Sequence, residues 1–439
     1  MVKRSAGWSA GAARDLLRRR LAAQWIAPPG PTVQENPQEG PARITAVTRR
    51  MLALQAQDYG QAVWALGVRA PGSTRSDVEA ALDAGSVVRS WPIRGTLHFS
   101  TPDDLRLMLS ITAARTIRSI LPRYRQLGLD DDVLARTRAI ATSELRGGGR
   151  LSREEFFALL TAAGIEPGGQ RGTHVIGRLA HEGLLCWGPT ENGRQQLVLL
   201  DEWAPPGPGT VTTWPLDENG APAADSDDPR RTEALGEFVR RYVTGRGPAT
   251  LKDFCWWSKV TVAEAKRGLD HARDRLTSEL IDGAEHWTTA NGDADESDDH
   301  PATTDDGAPA DEAGTDTDTD AKSAAAARPT PPFHALPGFD EYLLGYPDRA
   351  PALAPEFAER IVPGDNGIFL PMLVAHGKVV GTWRRRVASG AVTVTLEPFE
   401  PLTATARTGF ARAVRRYADF MGLALVLDEP RLEKGAPDA

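Results

Sequence analysis

Ser152-Arg153-Glu154-Glu155-Phe156-Phe157-Ala158-Leu159-Leu160, read on through Pro167-Gly168-Gly169 to Gln196-Leu197-Val198-Leu199-Leu200, decides the fold. Ser152 with Glu155 three residues later is a capping-box start, and Phe156, Phe157, Leu159 and Leu160 follow it as an apolar face. After Gly164 and the Pro-Gly-Gly turn, Thr173 to Glu182 predicts a second helix, which Gly183 ends. Leu184-Leu185-Cys186-Trp187 and Gln196 to Leu200 then predict two strands around the turn-forming run Gly188 to Arg194. Helix, turn, helix and hairpin in that order describe a winged helix.

The pattern recurs on both sides. Upstream, Ile44 to Leu54 predicts a helix and Thr74 or Ser76 caps another. Val87 to Trp91 and Thr96 to Phe99 predict strands about a Pro/Gly turn. Downstream, Ala234 to Tyr242, a capped helix after Gly247-Pro248 and Val262 to Leu269 precede a weaker wing at Leu280 to Trp287. A final mixed piece holds strands at Phe369 to Val374, Val379 to Trp383, Val392 to Leu396 and Leu423 to Leu427, and a helix at Thr405 to Met421. The expected class is α+β, with winged helices at residues 12–101, 102–205 and 230–288, an acidic linker at 289–332 and a β-rich α/β domain at 333–430.

The 439 residues suffice for several cores. No run of 18 apolar residues suggests a membrane span, and Met1 to Gln24 lacks the pattern of a signal peptide. Two cysteines, Cys186 and Cys255, form no metal pair or disulfide framework, which fits a reducing cytosol. The net charge of -8 conceals a basic body. Residues 291–320 carry twelve Asp or Glu and no Lys or Arg, so the remainder sums to +4, compatible with a nucleic-acid partner.

No GxGxxG, P-loop, HExxH or GxSxG motif is present. The residues that invite a chemical reading are polar groups at ordered junctions. Leu54-Gln55-Ala56-Gln57-Asp58-Tyr59 sets two glutamines between an amphipathic segment and the apolar run Ala62 to Leu66. Amides pinned there can fix a base, a sugar or a water; Asp58 either adds negative potential or caps a helix. Trp91, Arg94 and His98 flank one turn, where Arg94 can meet a phosphate and His98 a base or a backbone carbonyl. The second helix of the central unit carries Arg171, His174, Arg178 and His181, of which Arg171 and Arg178 suit phosphate contact. Trp383 followed by Arg384, Arg385 and Arg386 makes a denser basic cluster, either a DNA contact or a charged hairpin turn.

At these residues the chain resembles the winged-helix DNA glycosylases of the AlkZ and YcaQ type. The matching pieces are Leu54-Gln55-Ala56-Gln57, Arg94-Gly95-Thr96-Leu97-His98, Leu200-Asp201-Glu202-Trp203 and Leu336-Pro337-Gly338-Phe339-Asp340-Glu341-Tyr342-Leu343-Leu344-Gly345-Tyr346. The ordered set covers nearly everything from Ala12 to Leu427. The resemblance implies three winged helices and a β-rich region around double-stranded DNA in a concave channel. It further implies hydrolytic release of N7-alkylated purines, and unhooking of interstrand crosslinks or bulky adducts, by a monofunctional enzyme without a lyase step. Gln55 and Gln57 match the Gln-x-Gln of the AlkZ branch, where the YcaQ branch has Asp at the second position. Carried over, they position the water that attacks C1′. An N7-alkylated purine is already cationic and leaves readily, so orientation of water and support of the oxocarbenium character suffice. Neither metal nor organic cofactor is expected, and the implied state is a bacterial, cytoplasmic monomer, nucleoid-associated when bound to DNA. A noncatalytic DNA-binding regulator, usually a dimer on spaced half-sites, and a protein scaffold without salt-dependent DNA affinity are the competing readings.

Overall fold

Most of the longer helices among the described residues begin where a side-chain oxygen meets the first unpaired N–H groups. Thr74, Ser152, Thr250 and Thr261 each accept from the backbone three residues on, and Asp77, Glu155, Asp253 and Glu264 return the bond to complete capping boxes. The computed structural model describes residues 8–27, 39–207, 210, 228–290 and 332–428. The acidic stretch 291–320 lies outside them, as do most of the linker 289–332 and most of the Pro206 to Pro229 loop.

The N-terminal part contains α1 (Ala10–Ala23), α2 (Gly40–Met51), β1 (Leu54–Gln55), α3 (Tyr59–Arg69), α4 (Arg75–Asp83), β2 (Val88–Ile93) and β3 (Thr96–Ser100). Next come α5 (Pro102–Gln126), α6 (Asp131–Leu145), α7 (Arg153–Ala162), α8 (Arg171–His181), β4 (Leu185–Glu191), β5 (Arg194–Leu199) and the single turn α9 (Leu200–Trp203). The third part is α10 (Pro229–Arg246), α11 (Leu251–Ser258), α12 (Val262–Ala272), β6 (Leu276–Ile281) and β7 (Ala284–Thr289). The last is β8 (Phe333–Leu336), the short α13 (Glu341–Leu344) and α14 (Ala358–Ile361), β9 (Met372–Ala375), β10 (Lys378–Ala388), β11 (Ala391–Pro398), α15 (Ala404–Met421) and β12 (Ala424–Asp428). The class is mixed α+β.

The hairpins do not all stand apart. β2–β3 and β4–β5 join through Arg89 opposite Trp187 into one sheet ordered β1-β3-β2-β4-β5. A second five-stranded sheet runs β12-β11-β10-β9-β8, antiparallel except for the β11–β12 pair, and β6–β7 forms a ribbon of its own. The chain's two ends share one core: Ile44, Val63, Trp64 and Leu66 are buried with Leu336, Met372, Val394 and Phe410. The Trp64 indole N–H donates to the Ala335 carbonyl at 2.8 Å, and its ring lies 5.2 Å from Tyr417 and 5.4 Å from Phe420.

Several expectations shift. The helix predicted through Leu54 stops at Met51, because Leu52 takes φ 59° and Leu54 and Gln55 pair with Phe99 and His98. The segment predicted at Ala234 to Tyr242 is the middle of an 18-residue helix. β10 runs eleven residues, so Arg384, Arg385 and Arg386 lie within a strand and not at its end. α5 and α6, absent from the sequence reading, fill the space before α7.

Candidate active site

The segment that carries the two glutamines is irregular, and its carbonyls need donors. Two arginines supply them. Arg246, fully buried on α10, donates from Nη1 to the Met51 carbonyl at 2.8 Å and from Nη2 to the Ala53 carbonyl at 2.7 Å. Arg89 on β2 donates to the Ala56 carbonyl at 2.8 Å and the Gln57 carbonyl at 3.3 Å, and reaches Gln195 of β5 at 2.6 Å. Asp58 closes the segment as the N-cap of α3, accepting from the Gln61 N–H at 3.1 Å. Capping is thus its visible role.

Both glutamine side chains turn toward the β2–β3 hairpin. The Gln55 Oε1 accepts from Arg94 Nη2 at 3.2 Å, and the Gln57 Oε1 accepts from the Leu97 N–H at 3.1 Å. Each partner is a donor only, which fixes the orientation of both amides. Gln55 is half-buried and Gln57 exposed. Each carbonyl oxygen keeps one lone pair for a further donor, but the Gln55 oxygen spends its first on a guanidinium, and that lowers its basicity.

Behind Gln55 lies a buried charged cluster. Arg94, at the turn with φ 56°, reaches His98 Nε2 at 3.1 Å, Glu341 Oε1 at 3.4 Å and the Leu344 carbonyl at 3.4 Å. Glu341, 1% exposed, also accepts from the Gln55 N–H at 3.3 Å, from Arg246 Nη2 at 3.0 Å and from the Trp257 indole N–H at 2.8 Å. Burial alone would raise the Glu341 pKa, but the charges of Arg246 and then Arg94 outweigh it and hold the carboxyl at about 2. His98 is driven to about 3 by burial first and by Arg94 second, so its ring is neutral. Its Nδ1 lies 2.8 Å from the Thr96 carbonyl and is the donor, leaving Nε2 to accept from Arg94. The adjacent Asp340 pairs with the buried Arg69 through two 2.8 Å bonds. Among the described residues no group of three or more His, Cys, Asp or Glu is placed to hold a metal ion.

Of the residues predicted to touch DNA, the structure brings Arg94 and His98 to Gln55, but both are largely enclosed: Arg94 has 10% of its side chain exposed and His98 is fully buried. Trp91 packs instead against the core between α5 and α8. Three of the expected contacts are buried or already engaged within the protein. Arg178 is buried and ion-paired with Glu182 at 2.5 Å. Arg171 is tied to the carbonyls of Glu166 and Leu127. Trp383 is fully buried, its indole donating to the Leu336 carbonyl at 2.8 Å. Arg385 donates to Gln61 Oε1 at 3.0 Å, Arg384 pairs with Glu397 with 77% of its side chain exposed, and Arg386 is exposed. His181 is buried and His174 meets the Tyr124 ring edge-on.

Arg89, Arg246 and Glu341 were not picked out as site residues by sequence reasoning. Glu341 lay inside a quoted motif, but its partners are 84 to 286 residues away along the chain. Buried charges in apolar surroundings give no local signal of the partner they need.

The chain matches the family model described as "DNA glycosylase AlkZ-like" over residues 48–420. It is 25% identical over 349 residues to a Streptomyces sahachiroi protein named "Interstrand DNA cross-link repair glycosylase", covering 77% of this chain and 81% of that one. The solved structure of the Streptomyces sahachiroi DNA glycosylase AlkZ superposes with a TM-score of 0.65 at 22% identity, over 97% of this chain and 100% of that one.

Proposed function

The chain belongs to the AlkZ-like DNA glycosylase family and is a DNA glycosylase, and from that premise we propose that it hydrolyses the N-glycosidic bond of N7-alkylated purines in duplex DNA, with Gln55 and Gln57 as the residues that place the attacking water. The observation that carries this reading is the orientation of the two amides, which the Arg94 guanidinium and the Leu97 N–H fix on a segment clamped by Arg246 and Arg89.

The roles divide. Gln57 is exposed and, among the described residues, its oxygen is shared only with a neutral backbone donor, so its remaining lone pair is the better acceptor for a water proton. Gln55 anchors the neighbouring side of the water site and relays the position of Arg94. A neutral amide is a weak base, but a cationic leaving group needs little more than a positioned nucleophile. No lysine imine is invoked, and the product is an abasic site with the strand intact. Arg94, His98 and Glu341 act as positioning residues.

The exposed setting of Gln57 suits a substrate approached from a groove, without full withdrawal of the base into a pocket. That would accommodate bulky adducts and interstrand crosslinks, the lesion class in the name of the relative. We read α2 to β3, α7 to β5 and α11 to β7 as three winged helices, and with the β8–β12 sheet as the walls of a concave channel on a monomer.

The test is incubation with duplex DNA bearing a single N7-methylguanine. Free N7-methylguanine, with strand scission appearing only after alkali, is expected. Scission without alkali would refute the monofunctional route. Release of a crosslinked or bulky purine with none of N7-methylguanine would narrow the substrate to large lesions.

A further inference from the structure

Shortly after α13, Arg349 carries a guanidinium that the protein holds in place but does not close. Its Nε donates to the Leu343 carbonyl at 3.2 Å. Its guanidinium carbon lies 4.9 Å from the centre of the Phe369 ring and 5.6 Å from that of Trp256 on α11. One carbonyl and two aromatic rings therefore order the head group. Among the described residues neither Nη has a hydrogen-bond acceptor or an ion-pair partner, although the side chain is half-buried, and both atoms stay open to solvent. Burial lowers its pKa, Asp365 raises it through space and Arg94 lowers it again, and the group remains charged. Arg246 shows what a structural guanidinium looks like in this protein: both of its Nη groups are bonded to carbonyl or carboxylate oxygens.

Trp256 connects Arg349 to the glutamines. The same indole ring lies 5.9 Å from the guanidinium of Arg94, whose Nη2 bonds the Gln55 Oε1 at 3.2 Å. The fork of Arg94 is filled by Gln55, His98 and Glu341; that of Arg349, on the same ring, is open. A guanidinium already ordered by stacking loses little further freedom when it takes a bidentate acceptor. Duplex DNA offers two such acceptors. One is the O6/N7 edge of guanine, and alkylation at N7 removes it from the damaged base. The other is the backbone phosphate.

We propose that Arg349 grips a backbone phosphate beside the nucleotide presented to Gln55 and Gln57, with Trp256, Phe369 and the Leu343 carbonyl setting its fork before DNA arrives. The identity of that nucleotide rests on the glycosylase reading; the phosphate contact rests on the geometry of Arg349.

The test is a cycle between protein and DNA on the full chain. A duplex carrying a tetrahydrofuran abasic-site analogue, which cannot be cleaved, is made with natural phosphates and with a single neutral methylphosphonate at each phosphate near the analogue in turn. Dissociation constants are measured for the wild type, Arg349→Gln and Arg349→Lys. One methylphosphonate position is expected to weaken the wild type about 10–100-fold, to match the loss of Arg349→Gln on the natural duplex, and to add little in that variant. Arg349→Lys is expected to fall between, since it keeps the charge and loses the fork. Two results overturn the proposal: no position at which the wild type is sensitive, or losses from variant and methylphosphonate that multiply at every position, as they would if Arg349 only braced the fold. Each protein is compared with itself across duplexes, so a variant of lowered stability still reports. Release of N7-methylguanine by the wild type is followed alongside; its absence would overturn the lesion reading, while the cycle still decides Arg349 either way.

Discussion

Glu341 is one carboxylate between two guanidinium groups, and removing its charge should be felt in both stability and site geometry. Glu341→Gln keeps the shape but leaves Arg94 and Arg246 buried without their counter-charge. Breaking such a pair costs about 3–5 kcal/mol, and a urea denaturation series should show the midpoint fall accordingly. An unchanged midpoint would mean that the cluster is solvated and does not brace Gln55. The sequence made the two glutamines visible because their spacing and setting are local. It hid Glu341 because the partners that give it meaning come from α10, α11 and the β2–β3 turn. Arg178 was a different case: Glu182 stands at the i+4 position that favours an intrahelical pair, a local signal against a DNA contact.

At the level of elements, close approach of α3 to α15 depends on Gly67. A Cβ there would lie 2.6 Å from the Phe420 ring, which is itself packed on Trp64. Gly67→Ala is expected to cost about 1–3 kcal/mol by overpacking, read as a lowered thermal midpoint. Equal stability would show that α15 can shift away freely. β10 makes a second element-scale prediction. Arg386→Ala should weaken duplex binding and make its salt dependence shallower by roughly one, whereas Arg178→Ala should leave the salt slope unchanged and lower stability. The reverse pattern in the binding isotherms would reinstate Arg178 as a DNA contact. Elements announced by caps, such as α4, α7, α11 and α12, were legible in the sequence because capping boxes are local. β1 was not, since a two-residue strand is defined by partners more than forty residues away. For Trp383 the alternation was readable only in part: a bulge at Val380 puts Val379 and Gly381 on opposite faces of β10, while Gly381 and Trp383 share one face and Arg384 takes the other.

Across the whole molecule, four N-to-C segments pack through shared cores and one shared sheet, a joining that helix and strand patterns do not reveal. Three enclosed histidines make this assembly acid-sensitive. Burial lowers His98 to about 3, and His181 and His334 to about 4, from an ordinary value near 6.5. The unfolded chain therefore binds protons that the folded chain refuses, so stability is full above pH 6.5 and declines as pH falls toward 4. Each histidine contributes on the order of 1–3 kcal/mol to that loss. Glu341, held at about 2, adds a further loss only below its unfolded value near 4.5. Urea midpoints at pH 7.5 and pH 5 should differ in that direction; equal midpoints would mean that the three rings protonate without opening the fold. The central claim is that Gln57 places the water while the rest of the clamped segment holds it in register. Single-turnover release of N7-methylguanine by the wild type, Gln57→Ala and Gln55→Ala, with DNA saturated by each protein, tests it most directly. The expected result is a loss of about 10²–10³-fold for Gln57→Ala, a smaller loss for Gln55→Ala, and retained DNA binding in both. A wild-type release rate in Gln57→Ala would contradict the account.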